Sequence, residues 1–185
     1  TVLMKCLVGL ITPDAGEIMY DSENFSLMNA EAKKIMRRKI GMLLQGSALF
    51  DSKTVEQNIM FPLDMFSHDT RAEKQKRVDM VLDRVNLNDA HKKFPAEISG
   101  GMKKRVGIAR SIVLNPQYLF CDEPNSGLDP QTSLVIDKLI REITTEYNIT
   151  TVINTHDMNS VIEIGDRILY MYQGKKEWEG NSKEI

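Results

Sequence analysis

Apolar positions along this chain change their period several times, and each change marks an element. Over residues 1–10, TVLMKCLVGL, positions Val2, Leu3, Cys6, Leu7 and Leu10 recur at helical spacing, which predicts a buried helix. TPDAG at 12–16 carries the residues of a turn, and EIMYD at 17–21 reads as a short strand. Asn29 is placed to cap a helix that runs to about Arg38. KIGMLLQ at 39–45 is a short apolar run without alternation, a buried strand that ends in the polar Gln45. From Gly46 to Ala96 the pattern turns helical. Thr54 with Gln57, and Thr70 with Glu73, have the spacing of capping boxes. Val78, Val81, Leu82 and Val85 form one apolar face. FPL at 61–63 and SHDT at 67–70 read as breaks.

Ser99 is placed to cap the next helix, which runs through Val106, Ala109 and Val113 and stops at Pro116. YLFCD at 118–122 is a strand without alternation, as expected when both faces of a sheet are covered. Asp129 and Pro130 are a natural cap and first helical residue, and the helix they open carries Val135, Leu139 and Ile143 four apart. ITTVINTH at 149–156 predicts another buried strand, and DRILYMYQGKKEWEG predicts two strands joined by a glycine-containing turn. Strands alternating with helices predict an α/β fold with a mainly parallel sheet, into which residues 46–97 insert a helical subdomain. The 185 residues suffice for one domain, divided as 1–45, 46–97 and 98–185.

Composition narrows the setting. The chain is 42% hydrophobic and 27% charged, with a net charge of −2, so no overall basic field attracts nucleic acid or an anionic membrane. No apolar run is long enough to span a membrane, and any membrane role requires a partner. Cys6 and Cys121 sit in apolar segments without metal-type pairing and read as small buried hydrophobes. The basic stretch AKKIMRRK at 32–39 reads as a solvated helix face, and Met60, Met65 and Met80 as core or groove filler. The chain does not begin with methionine and its first residues are already helical. It reads as a piece cut at both ends.

The chemistry collects where strands end. In an open parallel sheet, ligands bind beyond the carboxyl ends of the strands, and three of the expected strands end in Gln45, Asp122–Glu123 and His156. Each alone is an ordinary loop residue. Together they place an amide, two carboxylates and an imidazole on one sheet edge, the equipment for a magnesium nucleotide and an attacking water. ISGGM at 98–102 adds two glycines at a helix start, where backbone N–H groups approach a phosphate closely and the helix end favours an anion.

These stretches carry a resemblance. ISGGMKKRVGIARSIVLNPQYLFCDEPNSGLDP resembles the ABC-transporter ATPases: ISGG is similar to their signature motif, YLFCDEP to the Walker B strand and SGLD at 126–129 to the D-loop. Gln45 matches the Q-loop and His156 the switch histidine. Ile98 replaces the usual leucine, Asn125 stands where a small hydroxyl residue is common, and Met102 replaces the glutamine of most members. ISGGM with KKRVGIAR, together with QGSALFDSKTVEQNIMFPL, resembles the ATPases of MCE/Mla-type lipid transporters.

The resemblance implies a P-loop NTPase (RecA-like) core and a set of roles. Thr1 and Asp122 bind Mg²⁺, and Gln45 reaches the metal or the attacking water. Glu123 is the general base, and His156 contacts the terminal phosphate. Ser99, Gly100 and Gly101 act on ATP held by the other subunit of an ATP-sandwich homodimer, with Asp129 at that interface. A groove near residues 47–66 receives an integral membrane permease, and an MCE-domain substrate-binding protein accompanies the lipid subfamily. The implied place is the cytoplasmic face of the inner membrane. The phosphate-loop glycines and lysine fall before Thr1, so the 185 residues alone are expected to be inactive. Two alternatives are an ATPase for another cargo and, outside transport, an SMC-like DNA machine. The second conflicts with the absence of sustained heptads between Gln45 and Ser99. A non-catalytic module conflicts with the presence of both Glu123 and His156.

Overall fold

The structure, a computed structural model, describes residues 1–184. Three parallel strands lie side by side in the order β3 (Ile40–Leu43), β4 (Tyr118–Asp122) and β5 (Thr150–Asn154). Parallel neighbours need crossover connections. Helices α3 (Val55–Phe66), α4 (Arg71–Arg84) and α5 (Gly100–Ile112) join β3 to β4, and α6 (Pro130–Glu146) joins β4 to β5. After β5 come α7 (Met158–Ile164) and an antiparallel hairpin of β6 (Ile168–Tyr172) and β7 (Lys175–Gly180). Its tip residues, Gln173 and Gly174, have φ of +47° and +77°, as the tightest hairpin turns require. Before β3 lie α1 (Val2–Leu7), a two-stranded ribbon of β1 (Met19–Tyr20) and β2 (Glu23–Asn24), and α2 (Ala30–Arg38).

Two apolar clusters meet at the sheet. The larger lies between the sheet and α3 to α6, and includes Leu43, Ile59, Leu63, Val78, Leu82, Ile108 and Ile136. The smaller joins Met4, Val8, Ile18, Tyr20, Phe25 and Met36. Strand β4 serves both: Leu119 and Cys121 enter the first cluster and Phe120 the second. That two-sided cover is why YLFCD shows no alternation. Burial pushes the Cys121 thiol up to about 12, so this cysteine acts as a hydrophobe. Strand β3 and α5 touch through two glycines. A Cβ on Gly41 would stand 2.3 Å from the Ser111 carbonyl oxygen, and one on Gly107 2.7 Å from Leu43 Cδ1.

The expected caps form. Asn29 accepts from the Ala32 N–H at 2.9 Å, both capping boxes close, and Asp129 accepts from the Thr132 N–H at 3.0 Å with Pro130 behind it. Several expectations need correction. In α1 the buried residue is Met4, joined by Val8 just past its end in the cluster with Phe25 and Tyr20, whereas Val2, Leu3 and Leu10 are exposed. FPL does not break a helix, because Pro62 lies inside α3. Its ring forfeits one backbone bond, and buried Ile59, Met60 and Leu63 hold the helix together around it. Nearby, the buried Asn58 side chain donates to the carbonyls of Phe50, Lys53 and Thr54. Strand β5 pairs only with β4 among the described residues and is half-exposed rather than buried. In α6 the core face is Ile136, Leu139, Ile140 and Ile143, with Val135 outside.

Candidate nucleotide site

The sheet register places the candidate residues. Leu43 lies opposite Cys121, and Asp122 opposite Asn154, so the carboxyl ends of the three strands are level. Asp122 is 1% exposed. Its Oδ1 accepts from Thr1 Oγ at 2.9 Å and from Asn154 Nδ2 at 2.8 Å, while its Oδ2 takes no hydrogen bond from the described residues. Glu123 follows in the left-handed region with φ of +50°. Its N–H donates to the Asn154 carbonyl at 2.8 Å, and its carboxylate Oε1 meets His156 Nδ1 at 2.9 Å. The His156 ring is largely open to solvent. The Glu123 hydrogen bond and charge hold its pKa above the ordinary imidazole value.

Gln45 stands apart from this group. It is exposed just beyond β3 and makes no hydrogen bond to Asp122 or Glu123. The backbone after it is a left-handed turn, with φ of +72° at Gly46, +66° at Ser47 and +43° at Ala48. Arg110 of α5 holds that turn by donating to the carbonyls of Ser47 at 2.6 Å and Ala48 at 2.9 Å.

Ser99, Gly100 and Gly101 form a second cleft, with Met102 and Arg105 on one wall and Gly127, Leu128, Asp129 and Thr132 on the other. Ser99 Oγ accepts from the Met102 N–H at 3.3 Å, and the Asp129 carboxylate takes the Thr132 N–H and hydroxyl. These bonds hold Asp129 below the usual carboxylate range. The glycines differ in purpose. A Cβ on Gly101 would stand 2.7 Å from Thr132 Cγ2, whereas one on Gly100 would meet nothing closer than Leu128 Cδ2 at 3.5 Å. Gly101 is required by the packing of α5 on α6, and Gly100 leaves the cleft floor open. A wider cleft between Arg38, Lys39, Phe66, Arg77 and Gln117 shares no residue with either site and lies at the amino ends of β3 and β4.

The structure thus brings Thr1, Asp122, Glu123 and His156 together, sets Ser99, Gly100, Gly101 and Asp129 in a separate cleft, and leaves Gln45 between strand and turn. Sequence reasoning missed Asn154, whose role appears only when β5 is set level with β4. It also missed Lys104 and a buried trio: Asn125 Nδ2 donates to Asp137 Oδ1 at 2.8 Å and Ser160 Oγ donates to Asp137 Oδ2 at 2.8 Å. Desolvation raises the Asp137 pKa.

The donor set fits Mg²⁺. A carboxylate with one uncommitted oxygen stands beside a hydroxyl, and among the described residues no group of three or more His, Cys, Asp or Glu is disposed to cage a metal. Mg²⁺ typically takes one or two protein oxygens and completes its shell with water and phosphate.

Comparison with solved structures finds the same architecture. The ATP-binding cassette MJ0796, solved as a dimer in a post-hydrolysis state with ADP and Pi, superposes with a TM-score of 0.87 at 29% identity, over 98% of this chain and 79% of that one. CbiO1 from Clostridium perfringens, part of the CbiONQ ABC transporter complex, gives 0.89 at 32% identity, over 99% and 72%. The methionine import ATP-binding protein MetN of Carboxydothermus hydrogenoformans is 43% identical over 178 residues, 96% of this chain and 52% of that protein. MetN 1 of Pseudomonas putida is 38% identical over 185 residues, 100% of this chain and 55% of its own length. The chain therefore spans about half the length of the curated relatives it matches. Residues 1–126 match the family model described as ABC transporter, and with the sheet, its helices and the strand-end residues in place, the chain belongs to the ABC transporter family.

Proposed function

We propose that the chain is the nucleotide-binding and hydrolysing part of an ABC importer subunit. The observation that carries this reading is the Glu123–His156 pair at 2.9 Å beside the buried Asp122. Asp122 and Thr1 would hold Mg²⁺, which supplies charge neutralisation at the phosphates. Glu123 accepts the proton of an attacking water, and His156 orients its carboxylate and reaches the terminal phosphate. Ser99, Gly100 and Gly101 meet ATP held by a second copy across the cleft that Asp129 borders. The relative MJ0796, solved as a dimer, supports this two-copy arrangement. Gln45, on its turn beyond β3, couples the site to a membrane permease. The permease docks near residues 47–66, where Phe50 stacks edge-on against Phe61 at 4.9 Å, while Ile59 of the same segment is buried in the core. No helix among the described residues is long and apolar enough to cross a membrane, consistent with a peripheral subunit.

For the cargo, the names of relatives at 43% and 38% identity favour import of methionine or a similar small solute. The lipid reading rests on ISGGM with KKRVGIAR and on the segment around ALFDS, and these relatives do not support it or an MCE-domain partner. The test of the central reading is Glu123→Gln in the full-length protein. ATP still binds and turnover falls by about 10²–10⁴-fold. Turnover at the wild-type rate would refute the role of Glu123.

A further inference from the structure

Lys104 sits in the second turn of α5, inside the basic run KKR, and unlike its neighbours it is buried, at 4% exposure. A buried ammonium is costly unless partnered, yet no carboxylate among the described residues lies within ion-pair distance of it. Its one hydrogen bond goes to the Glu123 carbonyl oxygen, at 3.0 Å. Desolvation lowers its pKa, opposed by the attraction of the Glu123 charge. The residue it holds is in an unfavourable conformation. At φ of +50°, a residue with a side chain gives up roughly 1–2 kcal/mol. The Glu123 N–H is fixed on Asn154, and its carbonyl also takes the Ser126 N–H at 3.2 Å. The ammonium is the third tie, and the only one from outside the strand ends and their loop.

We propose that Lys104 is a positioning residue for hydrolysis. By holding the Glu123 main chain in its left-handed conformation, it aims the carboxylate toward His156 and links it to the helix that begins at Ser99–Gly101. The two clefts, which share no side chain, are connected through one helix and one ammonium. A helix start that moves on engaging a nucleotide carries Lys104 with it, and with Lys104 the Glu123 carbonyl. This inference rests on Glu123 being the proton acceptor.

The experiment is a two-by-two comparison of Lys104→Met and Glu123→Gln in the full-length protein, reading kcat, KM for Mg-ATP and Tm. Lys104→Met keeps the stem and removes the donor. It should lower kcat by about 10–100-fold, the scale of a small misplacement of a catalytic group, with KM unchanged. Lys104→Arg, which keeps a charged donor, should recover part of the loss. In the Glu123→Gln background Lys104→Met should cost nothing further, because the group it positions is gone. A Lys104→Met enzyme that folds and keeps wild-type kcat overturns the inference, and so do losses that multiply in the double variant. If Lys104→Met does not fold, Lys104→Gln takes its place under the same criteria. Wild-type turnover by Glu123→Gln alone overturns the underlying reading of Glu123 and is distinguishable from failure of the Lys104 link.

Discussion

His156 joins an exposed imidazole to a mostly buried carboxylate, and its titration reports that contact. Its folded pKa is raised by Glu123, so the pair contributes stability that is present below the ordinary imidazole value and lost as pH rises through the raised one. The His156 ring, followed by NMR, should titrate above about 6.5 and return toward that value in Glu123→Gln. An unchanged midpoint in the variant would mean that the two side chains do not meet in solution. At this scale much was legible in the sequence. Asp122, Glu123 and His156 stand at the ends of apolar runs, and a parallel sheet puts such ends at its binding edge. Asn154 was not legible, because nothing in ITTVINTH says which polar residue lies level with Asp122. Lys104 was hidden among three consecutive cations, since a charge run does not tell which member turns inward.

The elements divide in the same way. Caps are local chemistry, so Asn29, Thr54, Thr70, Ser99 and Asp129 were readable from spacing alone. Pro62 misled because its cost is also local, while its compensation comes from buried Ile59 and Leu63 on the same helix, a tertiary effect. The α1 face misled because that segment is apolar on several sides, and the choice of Met4 and Val8 is made by the cluster that forms around residues distant in sequence, Phe25 and Phe120 among them. The glycines that open α5 can be separated by experiment. Gly101→Ala should overpack against Thr132 and cost about 1–3 kcal/mol, a fall in Tm of about 2–4 °C for each kcal/mol in a domain of this size. Gly100→Ala meets only an ordinary contact, so Tm should hold while ATPase activity of the full-length protein falls, because the added methyl occupies the cleft floor. Thermal melts and steady-state rates on both variants check this. Equal losses of Tm would remove the distinction drawn between the two glycines.

For the whole molecule, the alternation of strands and helices was sufficient to foresee a parallel α/β sheet, but not the order of its strands, since all three runs read alike as buried. The half-exposure of β5 was not foreseen, because a run such as ITTVIN reads the same in the centre of a sheet and at its margin. The two apolar clusters, on opposite faces of β3 and β4, have a consequence of their own: the molecule should not open all at once. Amides of α1, the β1–β2 ribbon and α2 depend on the smaller cluster, and those of α5 and the helices around it on the larger. In native-state hydrogen exchange, the amides of Val8 and Phe25, bonded to the Met4 and Ile18 carbonyls, should become labile through a sub-global opening at lower free energy. Val106 and Ile108 should exchange only when the chain unfolds globally. Added denaturant should bring the two sets of isotherms together only near the transition. Isotherms that already coincide in water would mean that the clusters open and close as one body.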